Sequence, residues 1–453
     1  MASASEPTIN SESASEAVAE ITRTDAEVPT TVTEWSLTKR ICFRLACVYF
    51  VLYAFPFPIG ALPGTETLGS YYEAIWQKLV PWVATHILHL SYAISFAPTG
   101  SGDTTYSWVL NLIYLFLAIV GGAIWSVLDR RRSNYDRLHN WLRLYVRIYV
   151  GVVMIGYGAF KVIQSQFPAP NLIRLLQPYG DSSPMGLLWT FMGSSYTYNL
   201  FTGAAEVVGG ALLIIPPLAT LGALLTIAAM GNVFVLNMAY DVPVKLFSFN
   251  LILMAAFVAL PDAQRLLNIF VLNRSTQAAE PRPLFNRLRL NDAMRWLQLI
   301  LLVVFLGFSL FQSWQQAQGI LKGKVSDKLL GIWSVQEQKV DDQVRLPAMA
   351  DSTRWQRVVF EQSTRLGVQF MDAPFERYSM ELDEQSQTVK LTSRDNPDWK
   401  SNLKYELVPP NGMVLQGEVD GHRVEMKLQR KDPATFRLLN RGFHWISEAP
   451  FNR

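Results

Sequence analysis

Charged side chains inside apolar stretches are the first candidates for chemistry, because a membrane span tolerates them only at a cost. In one such stretch, five residues recur at spacings of four, three, four and three: Arg147, Gly151, Met154, Gly158 and Lys161. This spacing places them on one face of a helix. The two cations on that face are separated by small residues, which let another helix approach closely.

The next apolar stretch carries Glu206 within the sequence FTGAAEVVGG. Helical rise places Glu206 near the middle of its span, roughly 13 Å from each end, and Arg147 roughly 9 Å above the inner end of its own span. Lys161 lies close to the outer end, where its ammonium can reach the surface. We therefore predict an Arg147–Glu206 ion pair. The pair could lock two helices together or build a ligand, proton or quinone site, and the sequence leaves both alternatives open.

A second polar group is expected near the outer surface, and it comprises Lys161, Asn232, Asn237, Asp241 and Lys245. Hydrogen bonds between helices would account for the two asparagines. The alternative is a pocket that opens toward the extracytoplasmic face. The loop of residues 166–189, which is rich in proline, glycine and aromatic residues, could cover such a pocket.

Signals for a metal or a cofactor are weak. His86 and His89, at positions i and i+3, could share a helical face and hold one metal ion. The other histidines, His139, His422 and His444, are distant in sequence, so packing at the membrane interface is the preferred interpretation. We find no nucleophile motif, phosphate loop, dinucleotide fingerprint or zinc spacing, and no flavin, haem or iron–sulfur signature. No cofactor is therefore evident.

The composition indicates a membrane protein. Half of the 453 residues are hydrophobic, 17% are charged, and the mean hydropathy is +0.15, which is apolar for a soluble chain of this length. The net charge of +3 is too small to indicate nucleic-acid binding. A span needs roughly 20 apolar residues. Seven segments are candidate spans: 41–61, 107–127, 142–162, 197–215, 218–239, 244–260 and 296–314.

The orientation follows from positive charge, because lysine and arginine concentrate in cytoplasmic loops. Basic clusters flank the first candidate span, follow the second, and separate the sixth from the seventh. With seven spans, all three clusters are cytoplasmic. Counting the ambiguous segment 79–97 as a span would place Arg130, Arg131 and Arg132 outside, so we interpret 79–97 as interfacial or re-entrant. The pattern predicts a multi-pass protein of the cell membrane with a cytoplasmic N-terminus and an extracytoplasmic C-terminus.

The two ends of the chain differ from the apolar region, 35–320. Residues 1–34 are rich in Ser, Ala, Thr and acidic residues, which predicts a disordered cytoplasmic tail. In residues 325–453 strand-like alternation recurs, for example in RWQRVVFEQ and LKYELV, with turn signals between the strands. This pattern predicts an antiparallel β barrel or sandwich, and we expect a small lipocalin-like barrel. The last segment, 437–453, could seal the barrel and contact the membrane domain.

A family resemblance rests on two neighbouring motifs. One is a span with Arg147 that ends in Tyr157-Gly158-Ala159-Phe160-Lys161 and is followed by Gln166-Phe167-Pro168; the other is FxGxxExxGGxLL, from Phe201 to Leu213. Together they resemble the DoxX family of small four-helix membrane proteins. The similarity covers about 140–262, the third to sixth candidate spans.

The name of this family derives from a membrane subunit of a thiosulfate:quinone oxidoreductase. The resemblance therefore implies a quinone-facing or redox-linked membrane component. This chain adds two N-terminal spans, a seventh span and the β domain to the family's pattern.

Our leading hypothesis is a bacterial inner-membrane, DoxX-like protein that serves a redox-linked process at the outer leaflet. Quinone is its candidate ligand, a redox partner is expected, and Arg147, Glu206 and Lys161 carry the site. The alternative is a non-enzymatic anchor or assembly protein whose β domain binds a lipid or an extracytoplasmic protein. Transport ranks lowest, because the sequence shows no evident inverted repeat or pair of broken helices.

Overall fold

The structure, a computed structural model, describes residues 34–61, 64–279, 282–348, 351–371, 373–396 and 398–452. The expected disordered tail therefore lies outside the described residues, apart from Glu34. The chain divides into two compact units. The first unit contains the described residues up to Phe160 together with Phe201–Leu310, and the second contains Lys161–Leu200 together with the chain from Phe311 onward.

Helices make up most of the described chain up to Lys322. In chain order they are α1 (Leu37–Ala54), α2 (Glu66–His86), α3 (Thr105–Leu128), α4 (Asp136–Val162), α5 (Leu172–Leu176), α6 (Pro184–Ser194), α7 (Tyr196–Ile214), α8 (Ala219–Ala239), α9 (Lys245–Ala259), α10 (Ala263–Phe270) and α11 (Leu288–Lys322). The 3₁₀ turns Pro216–Leu218 and Leu260–Asp262 link α7 to α8 and α9 to α10. Proline favours both breaks, because it lacks the N–H that a helix interior needs.

Six helical segments of the described chain are long and apolar enough to cross a membrane. They are Thr105–Leu128, Asp136–Val162, Tyr196–Ile214, Pro216–Ala239, Lys245–Phe270 and Leu288–Lys322. These segments match the second to the seventh candidate spans. The prediction of a multi-pass helical membrane domain is confirmed as far as the length and apolar composition of these helices.

The first candidate span, 41–61, does not join these six. It is α-helical only where it overlaps α1, whose 18 residues end at Ala54 because prolines follow closely, and a 3₁₀ turn follows at Ile59–Ala61. Lys39, Arg40 and Arg44 lie in the first turns of α1, and its 18 residues are fewer than those of any of the six segments. The count of seven spans is therefore not confirmed.

The ambiguous segment 79–97 is divided in the structure. Its first part completes α2, which ends at His86, and the rest of the segment has no regular secondary structure apart from turns and bends. Its interfacial or re-entrant location stays a prediction.

Helices α4 and α7 approach each other so closely that glycine is required between them. A Cβ atom at Gly158 would lie 2.6 Å from the carbonyl oxygen of Gly203 and 2.7 Å from a methyl carbon of Val207. A Cβ atom at Gly151 would lie 2.9 Å from the carbonyl oxygen of Gly210. The predicted close approach along this face of α4 is confirmed.

Among the described residues, nine strands follow α11. They are β1 (Gly331–Val340), β2 (Gln343–Arg345), β3 (Trp355–Gln362), β4 (Arg365–Phe370), β5 (Phe375–Asp383), β6 (Thr388–Thr392), β7 (Lys400–Val408), β8 (Gly412–Val419) and β9 (His422–Lys431). Consecutive strands from β3 to β9 are antiparallel, and β1 pairs with both β3 and β9. Eight strands thus close into a barrel, with β2 paired only to β1. The strands therefore form a barrel and not a sandwich.

Side chains fill the interior of this barrel. Along β7, Ser401, Leu403 and Tyr405 are buried, whereas the residues between them are exposed. Trp333 and Phe360 are 2% and 0% exposed and belong to the same core. Each strand therefore has one apolar face, and burial of that face stabilises the barrel.

The end of α11 is bonded directly to the barrel. The carbonyl oxygen of Gly323 accepts hydrogen bonds from the backbone N–H of Ser363 at 2.8 Å and from its hydroxyl at 3.2 Å. The N–H of Val325 donates to the carbonyl oxygen of Glu361 at 3.2 Å. Val325 and Leu329 then enter the barrel core. The end of α11 and the barrel thus belong to one compact unit.

The loop that was expected to cover a pocket, 166–189, belongs to the second unit and docks on the barrel there. The N–H of Leu172 in α5 lies 3.3 Å from each carboxylate oxygen of Glu361 in β3. Ile173 packs over Gly367 in β4, where a Cβ atom would lie 2.7 Å from the Ile173 side chain. The loop thus packs against strands β3 and β4 on the outside of the barrel.

The last residues do not seal the barrel, contrary to expectation. After β9, a 3₁₀ turn at Pro433–Thr435 leads to α12 (Arg437–Asn440) and then to an irregular segment. Most of the side chains in this segment are exposed.

We expect Gly158→Ala to destabilise the helical domain by about 1–3 kcal/mol, because the added methyl group would overlap the backbone of α7. Gly156→Ala is the matched control on the same helix, since a Cβ atom there meets nothing within 4 Å. The control substitution should leave the free energy of unfolding unchanged or raise it by up to about 1 kcal/mol. Thermal unfolding in mild detergent measures both variants, and equal midpoints would contradict the close contact.

The docking of α5 should depend on pH through Glu361. Burial raises the pKa of this carboxyl group, and the N–H of Leu172 and the charge of Lys324 oppose the shift. Because the folded pKa lies above the unfolded one, the contribution of this group to stability is fully present below pH 4.5 and is lost as the pH rises through the folded pKa.

We therefore expect Glu361→Gln to raise the midpoint of barrel unfolding at neutral pH, and to make no difference below about pH 4.5. Near-ultraviolet circular dichroism across a pH series measures this. The exposed residue Glu406 on β7 provides the control, since Glu406→Gln should leave the pH profile as it is. A constant difference between Glu361→Gln and the native protein at every pH would rule out this linkage.

Candidate functional site

The guanidinium of Arg147 lies at the carboxyl end of α7. Its Nε donates to the carbonyl oxygen of Leu213 at 2.8 Å, and its Nη2 donates to Ile214 O at 2.9 Å and to Gln298 Oε1 at 3.0 Å. Arg147 is buried, and Gln298 comes from α11. The last carbonyl groups of a helix have no partner within it, so Arg147 satisfies acceptors that would otherwise be unpaired in an apolar environment.

The structure does not pair Arg147 with Glu206, so that prediction is wrong. Glu206 precedes Leu213 by seven residues, which is roughly 10 Å of helical rise. Similar depth in the membrane favoured a pair of these two charges. The carboxyl end of α7, with its partial negative charge, lies beside Arg147 and takes the place of the carboxylate.

Glu206 is nevertheless deeply buried in α7, at 2% exposed. The turn that carries it, from Gly203 to Val207, lies directly against Gly158 of α4. Tyr157, next to Gly158, is within electrostatic range of the Glu206 carboxylate. The close helix contact thus lies beside a phenol and a carboxylate on two candidate spans.

Lys161 belongs to the second unit, whereas Arg147 and Glu206 belong to the first. Its ammonium lies 5.9 Å from the ring centroid of Phe167, which is within the range of a cation–π interaction. Lys161 is buried among protein atoms, and its extension to the outer membrane surface stays a prediction.

Phenol and amide groups connect three helices of the first unit. The hydroxyl of Tyr49 in α1 lies 2.7 Å from Oδ1 of Asn111 in α3 and 2.6 Å from Oδ1 of Asn250 in α9. The Nδ2 of Asn250 is already bonded to Leu246 O at 2.9 Å, so its oxygen accepts the Tyr49 proton. A hydroxyl has only one proton to donate, and Tyr49 donates it to Asn250. The side-chain amide of Asn111 is therefore reversed, so that its NH₂ group donates to the oxygen of Tyr49.

This set continues toward Glu206. The ring of Tyr53, one turn after Tyr49 on α1, stacks on that of Tyr49 with the centroids 6.1 Å apart, and Tyr53 is within electrostatic range of Tyr149 and Tyr157. Tyr157 in turn is within electrostatic range of Glu206. We call Tyr49, Tyr53, Tyr149, Tyr157 and Asn250 the tyrosine series. This series was not predicted from the sequence, although the spacing of four between Tyr49 and Tyr53 puts both on one face of α1.

The five residues of the expected second polar group do not form one site. Asn237 is buried and donates to Val244 O at 3.3 Å and to the hydroxyl of Ser248 at 3.1 Å, so it links α8 to α9. The interhelical hydrogen bonding that was predicted for the asparagines is confirmed for Asn237. Asn232, in contrast, is exposed on α8.

Two charged members of that group, Asp241 and Lys245, stabilise the turn before α9. Exposed Asp241 pairs with Lys245 at 2.8 Å. Asp103 is a partner that the sequence did not reveal. Its carboxylate accepts from the N–H groups of Lys245 at 2.8 Å and Leu246 at 3.0 Å, and it therefore caps the amino end of α9. A cap 142 residues away in sequence leaves no local signal.

A second missed cluster surrounds Asp262, which is 2% exposed. Its carboxylate lies 2.9 Å from Arg282, 3.1 Å from Arg265 and 3.8 Å from Arg143, and it accepts a hydrogen bond from the hydroxyl of Thr220. Three arginines from separate parts of the chain thus share one carboxylate. An aspartate directly after an apolar stretch, followed three residues later by arginine, was the available signal.

The weak metal candidate is not supported by geometry. Helix α2 ends at His86, and His89 follows with a φ of 52°, so the two residues do not share a helical face. The ring of His86 stacks on Trp82 with centroids 5.3 Å apart. In the part of the chain that the structure describes, no group of three or more His, Cys, Asp or Glu residues is arranged to hold a metal ion.

Comparisons with known proteins add one relative. A protein of Bacillus subtilis (strain 168), described as uncharacterized protein YwoB, is 29% identical over 126 residues. The match covers 27% of this chain and 79% of that relative. No family model matches the chain, and no solved structure matches it.

We expect Asp262→Asn to destabilise the helical domain by about 3–5 kcal/mol, because buried Arg143 would lose its carboxylate partner. Asp292→Asn is the control: Asp292 pairs with Arg295 at 2.9 Å, but both side chains are about 60% exposed. Breaking this exposed pair should cost at most about 1 kcal/mol. Unfolding in detergent compares the two variants, and equal losses would show that the Asp262 cluster is not stabilising.

Proposed function

We propose that this chain is a DoxX-like, redox-linked membrane component in which Glu206 and the tyrosine series exchange protons with a quinone. The resemblance over 140–262 suggests the quinone. The distribution of lysine and arginine supports a bacterial inner-membrane location, with the N-terminus cytoplasmic and the β barrel extracytoplasmic.

The observation that carries this proposal is a buried carboxylate next to a set of phenols and amides. Glu206 lies inside a candidate span, and Tyr157 is within electrostatic range of it. Tyr53 and Tyr49 extend the set to Asn250 in another helix. Ionisable residues inside spans are expensive, and in membrane proteins they commonly mark proton relays and ligand sites.

The residues have separate roles in this scheme. Glu206 would hold the transferred proton, and the hydroxyl of Tyr157 would replace it from the tyrosine series. Arg147 acts as a positioning residue, because it fixes the end of α7 and thereby the turn that carries Glu206. A bound quinone would supply the redox chemistry, and a partner protein would supply the electrons.

Binding of a short-chain quinone to the purified protein tests the proposal, with quenching of tryptophan fluorescence as the measurement. We expect Glu206→Gln to weaken binding about tenfold, which corresponds to about 1.4 kcal/mol for the loss of one hydrogen bond from the protonated carboxyl group to the quinone oxygen. Glu73→Gln, at an exposed carboxylate on α2, should bind like the native protein. Native protein that binds no more quinone than empty detergent micelles would end this proposal.

A non-enzymatic assembly role is the second candidate, and one feature of the barrel favours it. The outer wall has a depression of about 370 Å³, lined mainly by polar and charged residues: Ser379, Glu381, Lys390, Thr392, Lys400, Asn402 and Glu418. Mixed charge of this kind suits a protein partner better than a lipid. The filled interior of the barrel also argues against a lipid bound inside it.

A further inference from the structure

The chain ends in a segment with large exposed apolar side chains. In residues 436–452, which we call the tail, Phe443, Trp445 and Ile446 are 76%, 92% and 79% exposed, and Phe451 is 48% exposed. The rings of Phe443 and Trp445 lie 5.0 Å apart. Exposed apolar groups that cluster in this way mark an interaction surface.

The tail leaves the barrel at the rim that is joined to α11. Gly331, at the start of β1, pairs with Phe360 near the end of β3, and Ile332 pairs with Lys431 at the end of β9. The turn after β3 is the one that binds Gly323 at the end of α11. The start of β1, the end of β3 and the end of β9 therefore lie at one rim.

This rim is close to a membrane by chain connectivity alone. Helix α11 is apolar enough to cross a membrane, and its last turn is hydrogen-bonded to the barrel at Ser363. The opposite rim carries the turn between β1 and β2, which includes Asp342. Of the two rims, the tail thus emerges from the one that α11 holds near the bilayer.

The composition of the tail suits the boundary between headgroups and acyl chains. Tryptophan and other aromatic rings concentrate at this depth, where one part of the side chain is apolar and another is hydrated. The tail also carries Arg437 and Arg441, and the guanidinium of Arg441 lies 4.7 Å from the ring centroid of Phe451. Guanidinium groups bind phosphate, so cations beside exposed rings match a phospholipid surface.

We propose that the tail is an interfacial anchor, which inserts Phe443, Trp445 and Ile446 into the surface of the bilayer that α11 crosses. Arg437 and Arg441 lie at the level of the lipid phosphates. The tail thereby fixes the barrel to the membrane at a second point beside α11. This proposal does not depend on the redox function.

Spin-label accessibility in phospholipid nanodiscs tests this anchor in the full chain. The label is placed at Ile446→Cys, with Cys42 and Cys47 replaced by alanine, and the control label is placed at Asp342→Cys on the opposite rim. Oxygen partitions into acyl chains, whereas a nickel chelate stays in water. We expect the oxygen-to-nickel accessibility ratio to be about tenfold higher at 446 than at 342.

Two further variants sharpen the test. Replacing Phe443 and Trp445 by serine should lower the ratio at 446 toward that at 342. Replacing Arg437 and Arg441 by glutamine should lower it more in nanodiscs with anionic lipid than in phosphatidylcholine alone. Equal ratios at 446 and 342 in the parent protein would overturn the proposal. So would a label at 446 that neither reagent reaches, since this would indicate cover by a protein or a second copy of the chain.

Discussion

Helices in hydrocarbon gain little from burying apolar surface against each other, so close packing and polar contacts hold them together. Gly151 and Gly158 give α4 a surface against which the backbone of α7 can lie. The positions of the buried polar groups follow from this contact. Arg147, one turn before Gly151, meets the carboxyl end of α7, and Tyr157, next to Gly158, meets the turn that carries Glu206.

In both units, charged side chains bind the unpaired backbone groups at the ends of helices. Arg147 binds the carbonyl groups at the end of α7, Asp103 binds the N–H groups at the start of α9, and Glu361 binds the first N–H of α5. In each case a charged side chain from a distant part of the chain satisfies backbone groups that have no partner within the helix. Each of these contacts gives a buried charged group a hydrogen-bond partner and also fixes the residue at which a helix begins or ends.

The sequence predicted the features that depend on local pattern. Runs of apolar residues located six helical segments that are long and apolar enough to cross a membrane, and alternation located the strands. The spacing from Arg147 to Lys161 identified the face of α4 that packs against another helix. It did not predict contacts that depend on which elements meet in space. Asp103 and Asp262 find partners through tertiary folding, and a charge-to-charge argument could not reveal that Arg147 binds carbonyl groups.

The junction at Gly323 has a mechanical consequence. Helix α11 has 35 residues and is about 52 Å long, whereas the hydrocarbon core of a bilayer is about 30 Å thick. A helix of this length adapts to its bilayer by tilting. Within the second unit, the last turn of α11 can reorient only if the turn after β3 moves with it or if the hydrogen bonds that Gly323 accepts from Ser363 are lost.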